Sequence, residues 1–160
     1  MSIFLTIFLA GVFACIILDL WQIGLQRLVG IPATNWGVVG RWLIVGLGTG
    51  RFVNDQLDDT ATIKNEAAAG WTLHYAVSIG YGVIYAVLMY QTPWFGTTWL
   101  DGIYFGAASV VVPWFIFLPC MGKGILARKT PNPVKVCGLA LAAHIIFGVA
   151  MAFGFGLFGT

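Results

Sequence analysis

Apolar residues come in long runs, and polar ones gather in the short stretches between them. Four runs, 3–29, 66–91, 97–119 and 133–159, reach or exceed the roughly 20 residues a helix needs to cross a hydrocarbon core of about 30 Å. A fifth, 36–50, rises only about 22 Å if fully helical, and it carries Arg41 and five glycines. The pattern predicts four spans and one short re-entrant or interfacial helix. The expected fold class is all-α: a polytopic membrane four-helix bundle, one integral membrane domain over 1–160.

Within the runs, the polar positions follow helical spacing. Cys15, Asp19, Gln22 and Gln26 fall at i, i+4, i+7 and i+11 on the first span, which is one face of a helix. His74, Ser78, Tyr81 and Tyr85 repeat that spacing on the second span, and Cys137, His144 and Gly148 share a stripe on the fourth. Lipid offers no hydrogen-bond partner, so such stripes are expected to face protein. Element ends agree with the spans: Asn65 precedes Glu66 as a cap, and Asn132–Pro133 reads as an N-cap followed by proline at the first helical position.

Charge fixes an orientation. Lys123, Arg128, Lys129 and Lys135 lie in or beside one connection, which the excess of basic residues makes cytoplasmic. With four spans, Arg27, Arg41, Arg51 and Lys64 fall on the same side, and all eight basic residues agree. Both termini are then periplasmic. Five spans would strand Arg27 on the wrong face. The four-span arrangement also places Asp19 about 15 Å, His74 about 12 Å and His144 about 16 Å from the cytoplasmic ends of their helices. The three buried ionisable groups are therefore expected at one level. Arg41, entering on the short helix, is the expected partner of Asp19, because a lone carboxylate at that depth costs roughly 2.5–3.5 kcal/mol.

Composition removes other classes. Only 9% of the residues are charged and 59% are hydrophobic, against about 25% charged in soluble domains. A net charge of +2 with no basic run gives no case for nucleic acid. Cys15, Cys120 and Cys137 are an odd set without paired spacing, read as small buried filler rather than a disulfide framework. The N-terminal run lacks a basic leader and is too long for a cleaved signal, so it is expected to be retained as a span. The "GLGTG" at 46–50 has no strand–helix context, and "MGKG" at 121–124 lacks P-loop spacing. No nucleophile elbow is present, and no enzyme class is selected. The acidic cluster Asp55, Asp58 and Asp59 reads as a solvated loop.

The segments "LDLWQ" (18–22), "NWGVVGRW" (35–42), "GWTLHY" (70–75), "PWFIFLPCMGKG" (113–124), "TPNP" (130–133) and "HIIFG" (144–148) resemble a bacterial inner-membrane family defined by a domain of unknown function, distantly related to YagU-type inner-membrane proteins. The resemblance runs nearly end to end. It implies a multi-pass location in the bacterial inner membrane and no particular activity. Members often carry a histidine just after a "GRF" element, where this chain has Val53 and Asn54.

Three functional readings follow. In the first, Asp19 and His74 bind or translocate a small ligand, ion or proton; Arg41 neutralises charge, His144 completes the pocket, and Asn35, Gln22 and Tyr81 contribute polar contacts. Carboxylate and imidazole groups exchange protons near neutral pH when burial and pairing shift them, and proline-broken spans such as the third, with Pro113 and Pro119, often mark such sites. In the second, His74, His144 and Asp19 hold a metal, iron above all, or the two histidines hold a b-type haem. In the third, the chain is an accessory or assembly subunit of a larger membrane complex. A homodimer is compatible with the small-residue faces at "GIYFG" (102–106) and Gly148–Ala152–Gly156, although such faces more often pack internally.

Overall fold

A computed structural model describes residues 1–57 and 59–159; Asp58, one of the acidic cluster, lies outside the described residues. The described residues are helical without strands. Six α-helices run α1 (Ile3–Val29), α2 (Trp36–Thr49), α3 (Glu66–Gln91), α4 (Trp99–Ser109), α5 (Leu118–Cys120) and α6 (Pro133–Phe158). A π-helical turn (Pro113–Phe117) joins α4 to α5, and a 3-10 turn (Ile125–Ala127) lies in the connection to α6.

Among the described residues, four helical stretches are long and apolar enough to cross a membrane: Ile3–Val29, Glu66–Gln91, Trp99–Cys120 and Pro133–Phe158. These are the four the hydropathy pattern predicted. The fifth helix, α2, has 14 residues and is too short for a span. The break expected from the prolines of the third span takes the form of the π-helical turn that begins at Pro113. Pro113 has no N–H to give the preceding turn, and a wider i→i+5 turn accommodates that.

Caps explain where helices start and stop. α1 ends at Gly30 with φ +70°, whose N–H returns to Leu25 O, a left-handed stop that glycine adopts without Cβ strain. Asn132 Oδ1 accepts the Lys135 N–H at 3.0 Å, so the predicted cap of α6 is present. Asn132→Ala should cost about 1 kcal/mol, read as a fall of roughly 2–4 °C in the unfolding midpoint in detergent. The start of α3 differs from expectation: Asn65 has φ +65°, and the Glu66 carboxylate itself accepts the Ile63 N–H at 2.9 Å. At α4, Thr98 and Asp101 cap reciprocally, with Thr98 N–H to Asp101 Oδ2 at 3.0 Å and Asp101 N–H to Thr98 Oγ1 at 3.3 Å.

Contacts group the chain into two compact units. The first comprises Met1–Ala33, Tyr75–Ser109 and Leu141–Thr160, and the second Thr34–His74 and Val110–Ala140. In the first, Tyr85 and Met151 are fully buried among Phe105, Phe147 and Phe155. The Tyr85 ring stacks on Phe155 at 5.1 Å, and its hydroxyl donates to Gly96 O at 2.8 Å, which satisfies the one polar atom that burial would otherwise strand.

Backbones touch where glycines allow it. In the first unit a Cβ on Gly106 would overlap His144 O, and one on Gly148 would overlap Gly102 O. The small-residue faces of α4 and α6 therefore pack on each other, as internal packing predicts. In the second unit a Cβ on Gly40 would overlap Glu66 O, and one on Gly70 would overlap Trp36 O. There α2 crosses the first turns of α3 at van der Waals distance.

Candidate functional site

The first unit contains a line of polar contacts, each anchored on one helix. Along α3, Tyr75, Ser78 and Tyr81 recur at intervals of three, which keeps them near one face. The Tyr75 hydroxyl donates to Asp19 Oδ2 on α1 at 3.2 Å. Ser78 Oγ donates to Gly11 O on α1 at 2.7 Å, where α1 and α3 come so close that a Cβ on Gly11 would sit 3.0 Å from Ile79 Cα. The Tyr81 hydroxyl reaches Ser109 O at 3.4 Å. Cys15, one turn before Asp19, is fully buried.

His144 lies at the far end of this line. Its Nδ1 is 2.8 Å from Ser109 Oγ, and its ring meets the Tyr81 ring edge-on at 6.1 Å and 86°. Ser109 Oγ also lies 2.9 Å from Gly106 O. A hydroxyl has one hydrogen. With that hydrogen on Gly106 O, Ser109 accepts from His144 Nδ1–H, and Nε2 keeps its lone pair. This assignment satisfies both contacts, and it makes Nε2 the basic atom of the ring. The Gly102–Gly106–Gly148 crossing brings the two partners together.

Tyr75 and Tyr81 are six residues apart on α3, so the anchor of Asp19 and the anchor of His144 differ by about 9 Å in height. The glycine crossing of α4 and α6 sets the height of His144.

The second unit holds the other expected residues. Arg41, 8% exposed, grips Glu66 through Nε to Oε2 at 2.8 Å and Nη2 to Oε1 at 2.9 Å, and its Nη1 donates to Thr60 O at 2.7 Å. The expected partner was Asp19; the carboxylate found in the guanidinium fork is Glu66. The Gly40–Gly70 crossing accounts for this, since it sets Arg41 directly against the first turn of α3. Asn35, expected to give a polar contact to a ligand, caps α2: its Oδ1 accepts from Gly37 N–H at 3.0 Å and Val38 N–H at 3.4 Å. His74 is buried, with its ring stacked on Trp36 at 3.8 Å and 23° and tilted against Trp71 at 5.8 Å.

Sequence reasoning missed Tyr75, Ser109 and Asp101. The stripe drawn through His74 used up the face on which Tyr75 lies one position further. Ser109 gave no spacing signal of its own. Asp101 did, since T-x-x-D ahead of an apolar run is a capping pattern. A cleft of about 430 Å³ also opens in the first unit, lined by Ile3, Thr6, Met89, Thr97 and Phe155 among others. Asp19 lies 16 residues along α1 from Ile3, about 24 Å away, so that cleft does not reach Asp19.

Residues 8–158 match the model of a family described as a protein of unknown function (DUF2938). No curated protein and no solved structure matches the chain.

Proposed function

The chain belongs to the DUF2938 family, and because that description assigns no chemistry we propose, from the geometry, that it binds or passes a proton or small cation along the polar line of its first unit. Asp19 and His144 are the two ionisable stations. Tyr75 presents a hydroxyl to Asp19, and Tyr81 and Ser109 frame His144. Gln22, three residues beyond Asp19 on the same face of α1, extends the line towards the helix end. The observation that carries the reading is the Ser109–His144 contact. Hydrogen bonding at Nδ1 orients the ring and fixes the tautomer, so that Nε2 can take a proton or a cation. The pair expected from the sequence was Asp19 with His74; the proposal rests on Asp19 with His144, whose hydrogen bonds are both formed within the first unit. Arg41 and Asn35 serve the second unit, one as an ion-pair lock and one as a cap.

The same reading places the chain in a bacterial inner membrane with both termini periplasmic. The support is the gathering of all eight basic residues on one side of four spans.

Reconstitution into liposomes loaded with a pH-sensitive dye tests the proposal. After an external pH step, the wild-type chain is expected to dissipate the gradient faster than protein-free liposomes. Asp19→Asn and His144→Gln should each return the rate to background, while Asn35→Ala leaves it unchanged. The thermal midpoint of each variant separates lost flux from lost fold. Rates for Asp19→Asn and His144→Gln equal to wild type would overturn the proposal, as would a wild-type rate at background with sodium and potassium gradients equally unaffected.

A further inference from the structure

The connection between the third and fourth spans, residues 121–132, has an unusual backbone. Gly122 and Gly124 have φ of +77° and +74°, and Leu126 and Ala127 follow at +53° and +56°. Glycine takes this region freely, whereas leucine and alanine adopt it against a steric penalty and persist there only when the surroundings hold them. Here they are held. Lys123 N–H donates to Leu118 O at 2.8 Å, Lys129 N–H to Lys123 O at 2.9 Å, and Ala127 N–H to Gly124 O at 3.1 Å. The Thr130 N–H and hydroxyl both return to Ala127 O, at 2.8 and 2.7 Å. Lys129 Nζ is tied to Asp55 Oδ1 at 2.8 Å.

This backbone sorts the side chains. Ala127 is fully buried, while Ile125 and Leu126 are each 41% exposed. Arg128, two residues after Leu126, and Lys135, in the first turn of α6, are exposed and form no ion pair among the described residues. Val134, in the first turn of α6, is 84% exposed. Residues 121–135 contain four basic side chains and no acidic one. The turn therefore presents aliphatic tips together with two cations, Arg128 and Lys135, that form no ion pair among the described residues, at the point where the chain leaves one span and enters the next.

We propose that this turn docks the headgroup of an anionic phospholipid. Arg128 and Lys135 take the phosphate, and Ile125 and Leu126 sit among the first acyl carbons. Charge complementarity and position select this occupant. The cations call for an anion, the aliphatic tips call for an apolar layer directly beneath it, and the ends of two spans lie where a bilayer offers both. An acidic soluble protein would satisfy the cations and leave Ile125 and Leu126 against water. A neutral lipid would leave Arg128 and Lys135 unanswered.

Native mass spectrometry of the detergent-purified full chain, titrated with phosphatidylglycerol or phosphatidylcholine, provides the test. Phosphatidylglycerol is expected to bind preferentially. The double variant Arg128→Gln, Lys135→Gln should weaken its binding roughly 30-fold, from about fivefold per cation at a membrane surface, without weakening phosphatidylcholine. Leu126→Gly keeps the positive φ and removes an aliphatic tip, so it should weaken phosphatidylglycerol while preserving the fold. Equal binding of the two lipids by the wild-type chain would overturn the proposal without any variant. So would undiminished phosphatidylglycerol binding by the double variant, or inorganic phosphate competing at the affinity of the lipid.

Discussion

Replacing Gly106 by leucine should lower the midpoint of thermal unfolding in detergent by about 5–10 °C and detach Ser109 from His144. A Cβ at this position would overlap His144 O and press on Ile145 Cα at 2.7 Å. These are backbone atoms of α6, so neither can swing aside as a side-chain tip would. The two helices must move apart, which forfeits the close contact that holds glycine-lined helices together in lipid. Overpacking of this kind costs roughly 1–3 kcal/mol and sometimes more, and each kcal/mol shifts the midpoint of a chain this size by about 2–4 °C. Gly106→Ala should act in the same direction and less strongly. Gly80→Ala is the control, because nothing lies within 4 Å of the added Cβ. There the gain in helix propensity, up to about 1 kcal/mol, should raise the midpoint. One substitution with opposite signs at two helical glycines would establish that backbone contact, and not glycine content, places His144.

The second large effect is expected at Arg41 and Glu66. Arg41→Met alone should strip Glu66 of both guanidinium contacts, and Glu66→Met alone should leave an enclosed cation without the carboxylate that fills its fork. Either variant is expected to fall well below wild type in yield and thermal midpoint. An ion pair withdrawn from water suffers more from losing one partner than from losing both, since a single change leaves an uncompensated charge. The double variant Arg41→Met, Glu66→Met should therefore recover a measurable part of what each single variant loses. A double variant whose loss equals the sum of the single losses would show that the two residues act independently. Loss at Arg41 that no change at Glu66 alters would show that the ion pair is not the contact that matters.

Hydropathy and spacing predicted the spans and most caps because these depend on local chemistry. Ile3–Val29 and Glu66–Gln91 are bounded by Gly30 and by the Glu66 turn, features readable within a few residues of each end. The polar line was legible only in outline. Cys15, Asp19 and Ser78 lie on the stripes that helical spacing drew, but which residue faces Asp19 depends on how two helices rotate against each other. Arg41 shows the same limit. Its charge and enclosure followed from the sequence, while its partner depended on the crossing of Gly40 and Gly70, which no local pattern encodes. Glu66 reads as a helix cap, and it is one, through Ile63 N–H; its other contacts come from 25 residues away.

The protonation state of His144 is the measurement on which the account turns. The chain has two histidines, so His74→Gln leaves His144 as the single source of imidazole signal. A nitrogen-15 NMR spectrum of the histidine-labelled variant in lipid should show hydrogen on Nδ1 and a bare Nε2 that responds to acid, and Ser109→Ala should change the Nδ1 signal. Hydrogen on Nε2 with Nδ1 bare, or a spectrum indifferent to both acid and Ser109→Ala, would contradict the account, because the atom proposed to take the proton or cation would then be occupied or inert.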